Sequence, residues 1–594
     1  MSFFGANKRS TGLDLEAGAV LGRVERIDSN RVEIAADPTV VGRATVTDLL
    51  AMPARGGYLI GMIESVSRNG AAGSGNPALR NESISVTAMP IGTIALREDG
   101  SPTFRTGASV HPHVGGGCHL LEGPMLTQFM GLLGEDIDEQ QRLRLGTFVA
   151  DRDSVAIADG NRLLQRHVSI LGNTGAGKSW TVALLLERAA ALGNANIVVL
   201  DVHGEYAPLT EPGPGGKAIA QGLRIAGPAD LLATPDEVLH LPFWLLQLDE
   251  LLSLVMNEDD QHAPDQRLCV TDHVQTLKRS SLVEMGRHSS VSTATSDSPV
   301  PYKLDDLLRW LKADEVEKII RHPTGNVDPG PFAGKLGGMI ARLESKIADP
   351  RYGFVFHPPQ HTDDYDWLVE TATKLLRAGG AEPGIKVIDL SEVPSPILPM
   401  VAGVLARLIY NVQFWMDLEQ RTPVCIVCDE AHVYLPARPD PSAVQRVALE
   451  AFEAIAKEGR KYGVCVAVVS QRPSDVSRTI LSQCNNFVIL RLTNDHDQAV
   501  IESLLPGSMS GMTGVLPMLD VGEAIMIGDA VLLPVRIKLD APIAKPASVT
   551  LPYWQMWSTK PSSDEAIADG VAALRNQWRG ELPEALDVAD AGSI

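Results

Sequence analysis

A chain of 594 residues is too long for one compact core, so two or more domains are expected. Its 73 Asp and Glu outnumber 52 Lys and Arg, a formal charge of −21, which excludes a surface basic all over while leaving room for a local basic pore or patch. Cys118, Cys269, Cys425, Cys428, Cys465 and Cys484 are scattered without a disulfide framework, the leading MSFFGANKRSTGLDLE has no apolar secretory core, and the most apolar run, around 397–409, is interrupted by Pro399 and Arg407; a soluble, cytoplasmic chain without a membrane partner is expected.

Residues 1–17 read as an N-terminal arm. Residues 18–110 are rich in short Val- and Ile-containing runs (GAVLGRVERI, NRVEIAA, YLIGMIESV, ISVTAMPIGTIAL) divided by Gly, Pro, Asn and Asp. Strands that short and that closely spaced suggest a small β-barrel, filling 18–145 with its connecting segment. GAAGSGNPALRNES (70–83) reads as a flexible loop within it.

From about 145 helical patterns alternate with short, wholly apolar strands: IVVLDVHGEY (197–206), IKVIDLSE (385–392), PVCIVCDEAH (423–432) and GVCVAVVSQR (463–472). Continuous apolar runs mark strands buried on both faces of a parallel sheet, and their polar ends fall where α/β folds hold ligands. The prediction is an α/β core over 146–210 and 381–545 with a parallel-rich central sheet. Residues 211–380 read as a helical insertion, carrying PFWLLQLDELLSLVM, RLCVTDHVQTLKRSSLVEMG and KLDDLLRWLKADEVEKII. Within it the Ser/Thr-rich HSSVSTATSDSPV (288–300) reads as a mobile loop. Residues 546–594 read as a C-terminal helix and tail, acidic from about Ser562.

The sharpest chemical signal is HVSILGNTGAGKS (167–179). Gly172, Gly177, Lys178 and Ser179 complete the phosphate-loop pattern, with Val168, Ile170 and Leu171 as the preceding strand and WTVALLLERAAA as the following helix. Such a junction aims backbone N–H groups and a helix N-terminus at one anion, and Gly172, Gly175 and Gly177 let the chain wrap it. Lys178 is expected on the β- and γ-phosphates and Ser179 on magnesium. In VCIVCDEAH, Asp429 ends an apolar strand as the natural magnesium partner, and Glu430 follows to activate water. Cys425 and Cys428 form a C-x-x-C, but inside a buried strand without a second pair they read as small core hydrophobes. Gln471, at the end of the next strand, is placed to orient water or sense the γ-phosphate. Arg460 and Lys461 in KEGRKYG read as dipole-favoured helix-end cations, as a solvated basic face, or as an arginine finger for a neighbouring subunit. The D-x-H-x-E of Asp201, His203 and Glu205 suggests a metal site less than carboxylates near the nucleotide, able to bond catalytic water or Glu430; His203 reads as a packing or hydrogen-bonding residue as readily as a chemical one.

Taken together, RHVSILGNTGAGKS, LDVHGEY, DPRYGFVF (349–356), VIDLSEVPSPILPMVAGVLARLIYN (387–411), VCDEAHVYLP (427–436), EGRKYGVCVAVVSQRPSDV (458–476) and LSQCNNFVILRLTNDHDQ (481–498) resemble the HerA/FtsK class of ring-forming DNA-translocating ATPases, HerA in its bacterial form most closely. The likeness spans about 18–540. It implies a RecA-like P-loop ATPase core with a helical insertion, an N-terminal barrel of the kind HerA proteins share with rotary ATPase subunits, and ATP with Mg2+ as the nucleotide complex. It implies a homo-hexamer around double-stranded DNA. Lys178, Ser179, Asp429, Glu430 and Gln471 match the family's Walker A, Walker B, catalytic glutamate and sensor positions, and Arg460 matches its finger candidate. The whole turn, Gly172, Asn173, Thr174, Gly175, Ala176, Gly177, Lys178, Ser179 and Trp180, is then the nucleotide-binding segment. Family members work with partner nucleases, such as NurA in archaeal end resection, or with sirtuin-like NADases or nucleases in bacterial antiviral defence. FtsK itself fits less well, because its membrane helices and winged-helix domain have no visible counterpart. Two functions stand open: a DNA translocase acting with a nuclease or effector, or a nucleotide-controlled scaffold ring that assembles and activates a defence effector with little translocation.

Overall fold

The computed structural model describes residues 19–576 except 29–30, 70–82, 98–100, 108–109, 214–215, 228–229, 231–236, 322–325, 438–440, 506, 548–550 and 560–562. The expected N-terminal arm, the loop at 70–82 and the acidic tail beyond 576 lie outside the described residues. The chain forms two compact units, one from the chain up to Arg188 with Val466–Ile543, the other from Ala189–Cys465 with the chain from Ala544.

The first unit opens with β1 (Val20–Ile27), β2 (Val32–Ala36), β3 (Leu49–Ala54), β4 (Gly57–Asn69), β5 (Ser83–Leu96), β6 (Pro102–Thr106) and β7 (Gly117–Leu120). Their order is β2-β1-β7-β3-β4-β5-β6, and a further β2–β5 pairing closes six of them into a barrel with β6 added to β5. The alternation of the strands fills its interior: Val32 and Ile34, Leu50 and Met52, Val86 and Ala88 stand two residues apart and are all buried. The chain then adds β8 (Arg142–Phe148), β9 (Val155–Asp159) and β10 (Val168–Leu171).

In the second unit β11 (Ile197–Asp201), β12 (Ala220–Ile225) and β13 (Val238–Leu239) are followed by a separate hairpin, β14 (Lys318–Arg321) with β15 (Asn326–Pro329), and then by β16 (Ile385–Asp389) and β17 (Val424–Cys428). The sheet runs β13-β12-β16-β11-β17, every pair parallel. All five residues of β11 and of β17 are buried, as expected of strands covered on both faces. The stretch 211–380 is helical over Leu248–Val255, Ala263–Glu284, Leu304–Glu315, Gly337–Ile347 and Trp367–Leu376, but it also supplies the sheet with β12 and β13. The loop at 288–300 is a second difference from the sequence reading. Lys278 Nζ donates to the carbonyls of Ser296 and Ser298, both at 2.7 Å, Asp297 accepts from Leu248 N at 2.8 Å, and Ala294 and Val300 are buried. A Ser/Thr-rich composition gave no sign of these anchors, which come from residues outside the loop.

The apolar run near 397–409 is the helix Leu398–Trp415, twelve of whose residues are buried. Gly403 lets it approach the helix Ala443–Glu458, because a Cβ there would lie 2.8 Å from Ala448 Cα. Arg407 grips Glu250 through two bonds of 2.6 and 2.8 Å, with the side chains 12% and 4% exposed. No described helix is long and apolar enough to cross a membrane.

The chain re-enters the first unit with β18 (Val464–Ser470), β19 (Asn486–Ile489), β20 (Glu523–Gly528) and β21 (Val535–Leu539). Here the order is β18-β10-β19-β20-β21-β8-β9. β10 is parallel to β18 and β19, with Leu171 level with Ser470 and Ile489; the pairings beyond β19 are antiparallel.

Candidate functional site

The first unit holds the glycine-rich turn. β10 stops at Leu171, and the helix Lys178–Ala190 begins six residues after Gly172. Gly175 and Gly177 have φ of +74° and +109°, a region that side-chain-bearing residues enter only at a cost, and a Cβ on Gly172 would lie 2.8 Å from Leu490 Cβ. The turn is fixed at both ends: Gly172 N donates to Ser470 O, Asn173 N to Arg491 O at 2.9 Å, and Gly522 N to Ala176 O at 3.2 Å. Lys178 is buried, Ser179 half-buried and Trp180 exposed. Thr174 Oγ1 donates to Gln471 Oε1, so the turn and the end of β18 are directly joined. Beside them opens a polar cleft of about 620 Å3, lined by Asn173, Thr174, Gln471, Arg472, Asn494 and Asp497.

The second unit holds the acids. β16, β11 and β17 are neighbours and end in Asp389, Asp201 and, just past Cys428, Asp429 followed by Glu430. Asp429 is 3% exposed; burial first, then the charges of Glu430, Asp201 and Glu205, hold its carboxyl well above the usual carboxylate range. Burial likewise pushes Asp201 up to about 6, against the backbone N–H groups of Tyr206 and Glu205 that bond it at 2.9 and 3.0 Å. Burial and mutual repulsion together favour the protonated forms of these carboxyls. Glu430 is one of three described non-glycine residues with positive φ, at φ 44° and ψ 44°. Left-handed backbone in a side-chain-bearing residue is strain, and such strain gathers at functional sites. His432 Nδ1 lies 3.2 Å from Glu430 Oε2, off the line of a hydrogen bond.

Arg460 and Lys461 lie in the short 3-10 turn Gly459–Tyr462 after the helix Ala443–Glu458, both exposed, and Arg460 makes no ion pair among the described residues. Cys425 and Cys428 are buried in β17, as their reading as core residues requires. His203 is exposed, which removes its packing role. The sequence reading gave Tyr206 no role. Its hydroxyl is fully buried, has no hydrogen-bond partner among the described residues, and faces the charges of Asp429, Asp201, Glu205 and Glu430. The signal was present in LDVHGEY, but nothing local tells a buried tyrosine from an exposed one.

A parallel strand running through a positive-φ glycine turn into a lysine-headed helix, with a second parallel strand ending in tandem acids, defines a P-loop ATPase with a RecA-like α/β core and an N-terminal barrel. The model of the helicase HerA central domain matches residues 143–409. A probable helicase of Methanocaldococcus jannaschii is 34% identical over 398 residues, 64% of this chain and 67% of that protein. The DNA double-strand break repair helicase HerA of Pyrococcus furiosus is 26% identical over 433 residues, 67% and 69% of the two chains, and that of Sulfolobus acidocaldarius is 28% identical over 404 residues, 67% and 69%. Among solved structures, VirB4 of Thermoanaerobacter pseudethanolicus is 18% identical, with a TM-score of 0.42, over 70% of this chain and 99% of that one. The chain belongs to the HerA family.

Proposed function

We propose that the chain hydrolyses ATP with Mg2+ to move double-stranded DNA through a homo-hexameric ring in the cytoplasm, in concert with a nuclease or NADase effector that uses the DNA or the ring in end processing or antiviral defence. The observation that carries the reading is that one chain holds both a phosphate turn set by Gly175 and Gly177 and a buried Asp429 followed by strained Glu430. In this reading the ATPase core is 146–210 with 381–545, the barrel and its connection 18–145, the insertion 211–380, and 1–17 and 546–594 are terminal extensions.

The residues divide the chemistry. The N–H groups from Gly172 to Ser179, with Asn173, Thr174, Ala176 and Trp180 around them, bind the phosphates, and Lys178 sets a cation on the β- and γ-oxygens. Ser179 and Asp429 hold Mg2+, which when bound draws charge from the phosphate oxygens and relieves the crowding of carboxylates around Asp429. Glu430 takes the proton of the attacking water while His432 limits the swing of its carboxylate. Gln471, anchored to Thr174, orients that water or reads the γ-phosphate. Arg460, exposed and without an ion pair among the described residues, completes the site of a neighbouring subunit by stabilising charge on the transferred phosphoryl group. DNA contacts fall mainly on phosphates, so affinity is salt-dependent and sequence-tolerant.

The test is ATPase and duplex-translocation assays of the purified chain with and without the product of its neighbouring gene. Duplex-stimulated hydrolysis with directional movement supports the motor. Hydrolysis indifferent to duplex in both conditions, with the effector switched by nucleotide alone, supports the scaffold ring instead.

A further inference from the structure

Apart from the nucleotide-site residues, the second unit gathers three side chains of metal-ligand type. Cys269 and His273 stand four residues apart on the helix Ala263–Glu284, so they share a face. Asp314 comes from the helix Leu304–Glu315. The thiol sulfur, an imidazole nitrogen and a carboxylate oxygen all lie within 4.8 Å of one another. His273 Nε2 is 2.8 Å from Asp314 Oδ2, and Cys269 Sγ donates to the same oxygen at 3.4 Å. Cys269 is fully buried, the side chains of His273 and Asp314 are 19% and 25% exposed, and the Trp310 ring meets the imidazole edge-on at 5.4 Å.

Zinc takes sulfur at about 2.3 Å and nitrogen or oxygen at about 2.0–2.2 Å, which in a tetrahedron sets the ligand atoms roughly 3.3–3.6 Å apart. The separations of 3.4 and 2.8 Å differ from that by about half an ångström or less. Small side-chain rotations on two rigid helices cover the difference. The donor set selects the ion. Hard cations take oxygen alone, while one thiolate, one imidazole and one carboxylate suit borderline Zn2+. The Cys269 sulfur points at the Asp314 carboxylate, a side chain of ligand type on the neighbouring helix. We propose that Cys269, His273 and Asp314 form a zinc site, completed by water on the exposed side, that clasps these two helices.

The test uses the full untagged chain purified without chelator. Elemental analysis is expected to give about one zinc per chain, and cobalt substitution a thiolate-to-cobalt charge-transfer band. Cys269→Ser and Asp314→Asn, both near-isosteric, are each expected to weaken zinc binding by at least about tenfold and the first to abolish the cobalt band. A wild-type chain that neither carries zinc nor takes it up at micromolar free metal overturns the proposal. So does zinc retained undiminished in both variants, which would place the metal elsewhere. Asp314→Asn leaves the buried thiol in place and keeps the test valid if Cys269→Ser fails to fold.

Discussion

Replacing Glu430 by alanine and by glycine separates what its carboxylate does from what its backbone costs. Both variants lack the proposed base, and both are expected to lose hydrolysis by about 10²- to 10⁴-fold while still binding ATP. They differ only in how they tolerate φ 44° and ψ 44°. A residue with a Cβ gives up roughly 1–2 kcal/mol in the left-handed region, and glycine gives up roughly 0.4–1 kcal/mol through the greater freedom of its unfolded chain. The balance leaves the glycine variant about 0.5–1 kcal/mol the more stable locally, which is roughly a two- to fivefold difference in an opening equilibrium. Native-state hydrogen exchange of amides 424–434 reads that difference directly, with both variants measured at one pH and without nucleotide. Equal protection, or better protection in the alanine variant, would refute the claim that this position is strained. Undiminished hydrolysis in either variant would refute the role of the carboxylate.

Arg460→Ala is expected to bind nucleotide but not turn it over, and mixing it with Glu430→Ala subunits is expected to restore part of the ATPase; rings shown to exchange subunits without any rescue would exclude a finger acting across an interface. Asp201, held near 6, keeps its proton in the folded state where the unfolded chain has lost it. Its contribution is therefore full below about pH 4, on the order of 3 kcal/mol, and is lost as pH rises through 6. Asp201→Asn should flatten that slope in denaturation at pH 4 to 7, whatever it does to absolute stability, and an unchanged slope would count against the assignment. Arg407→Met strands the buried Glu250 carboxylate and is expected to cost about 3–5 kcal/mol, most of it recovered when Glu250→Leu is added; an additive double variant would show that the two side chains are not coupled.

Features carried by local pattern were legible in the sequence. The strand entering the phosphate turn, the apolar runs of β11, β16, β17 and β18 and the acids at their ends all follow from burial and from residues adjacent in sequence. The barrel was legible as closely spaced strands, but not its closure, because β2 meets β5 across some fifty residues and no local period encodes that pairing. β12 is not legible because AQGLRI has neither a continuous apolar run nor strict alternation; its pairing with β16 and β13, not propensity, makes it a strand. The order of the loop at 288–300 is not legible in its own composition, because it comes from Lys278 and Leu248, outside the segment. Cys269 looked like one more scattered thiol, since its partners lie four and forty-five residues away and only the helix packing brings Asp314 to it.

The proposed hydrolysis requires one nucleotide to be served both by the lysine-headed turn and by the tandem acids. Fe2+ in place of Mg2+ in the ATP complex, with ascorbate, cuts the chain wherever the metal is held. Cleavage near Lys178–Ser179 together with cleavage near Cys428–Glu430, both lost in Lys178→Ala, is the predicted pattern. Cuts confined to the turn, with the end of β17 untouched, would contradict it.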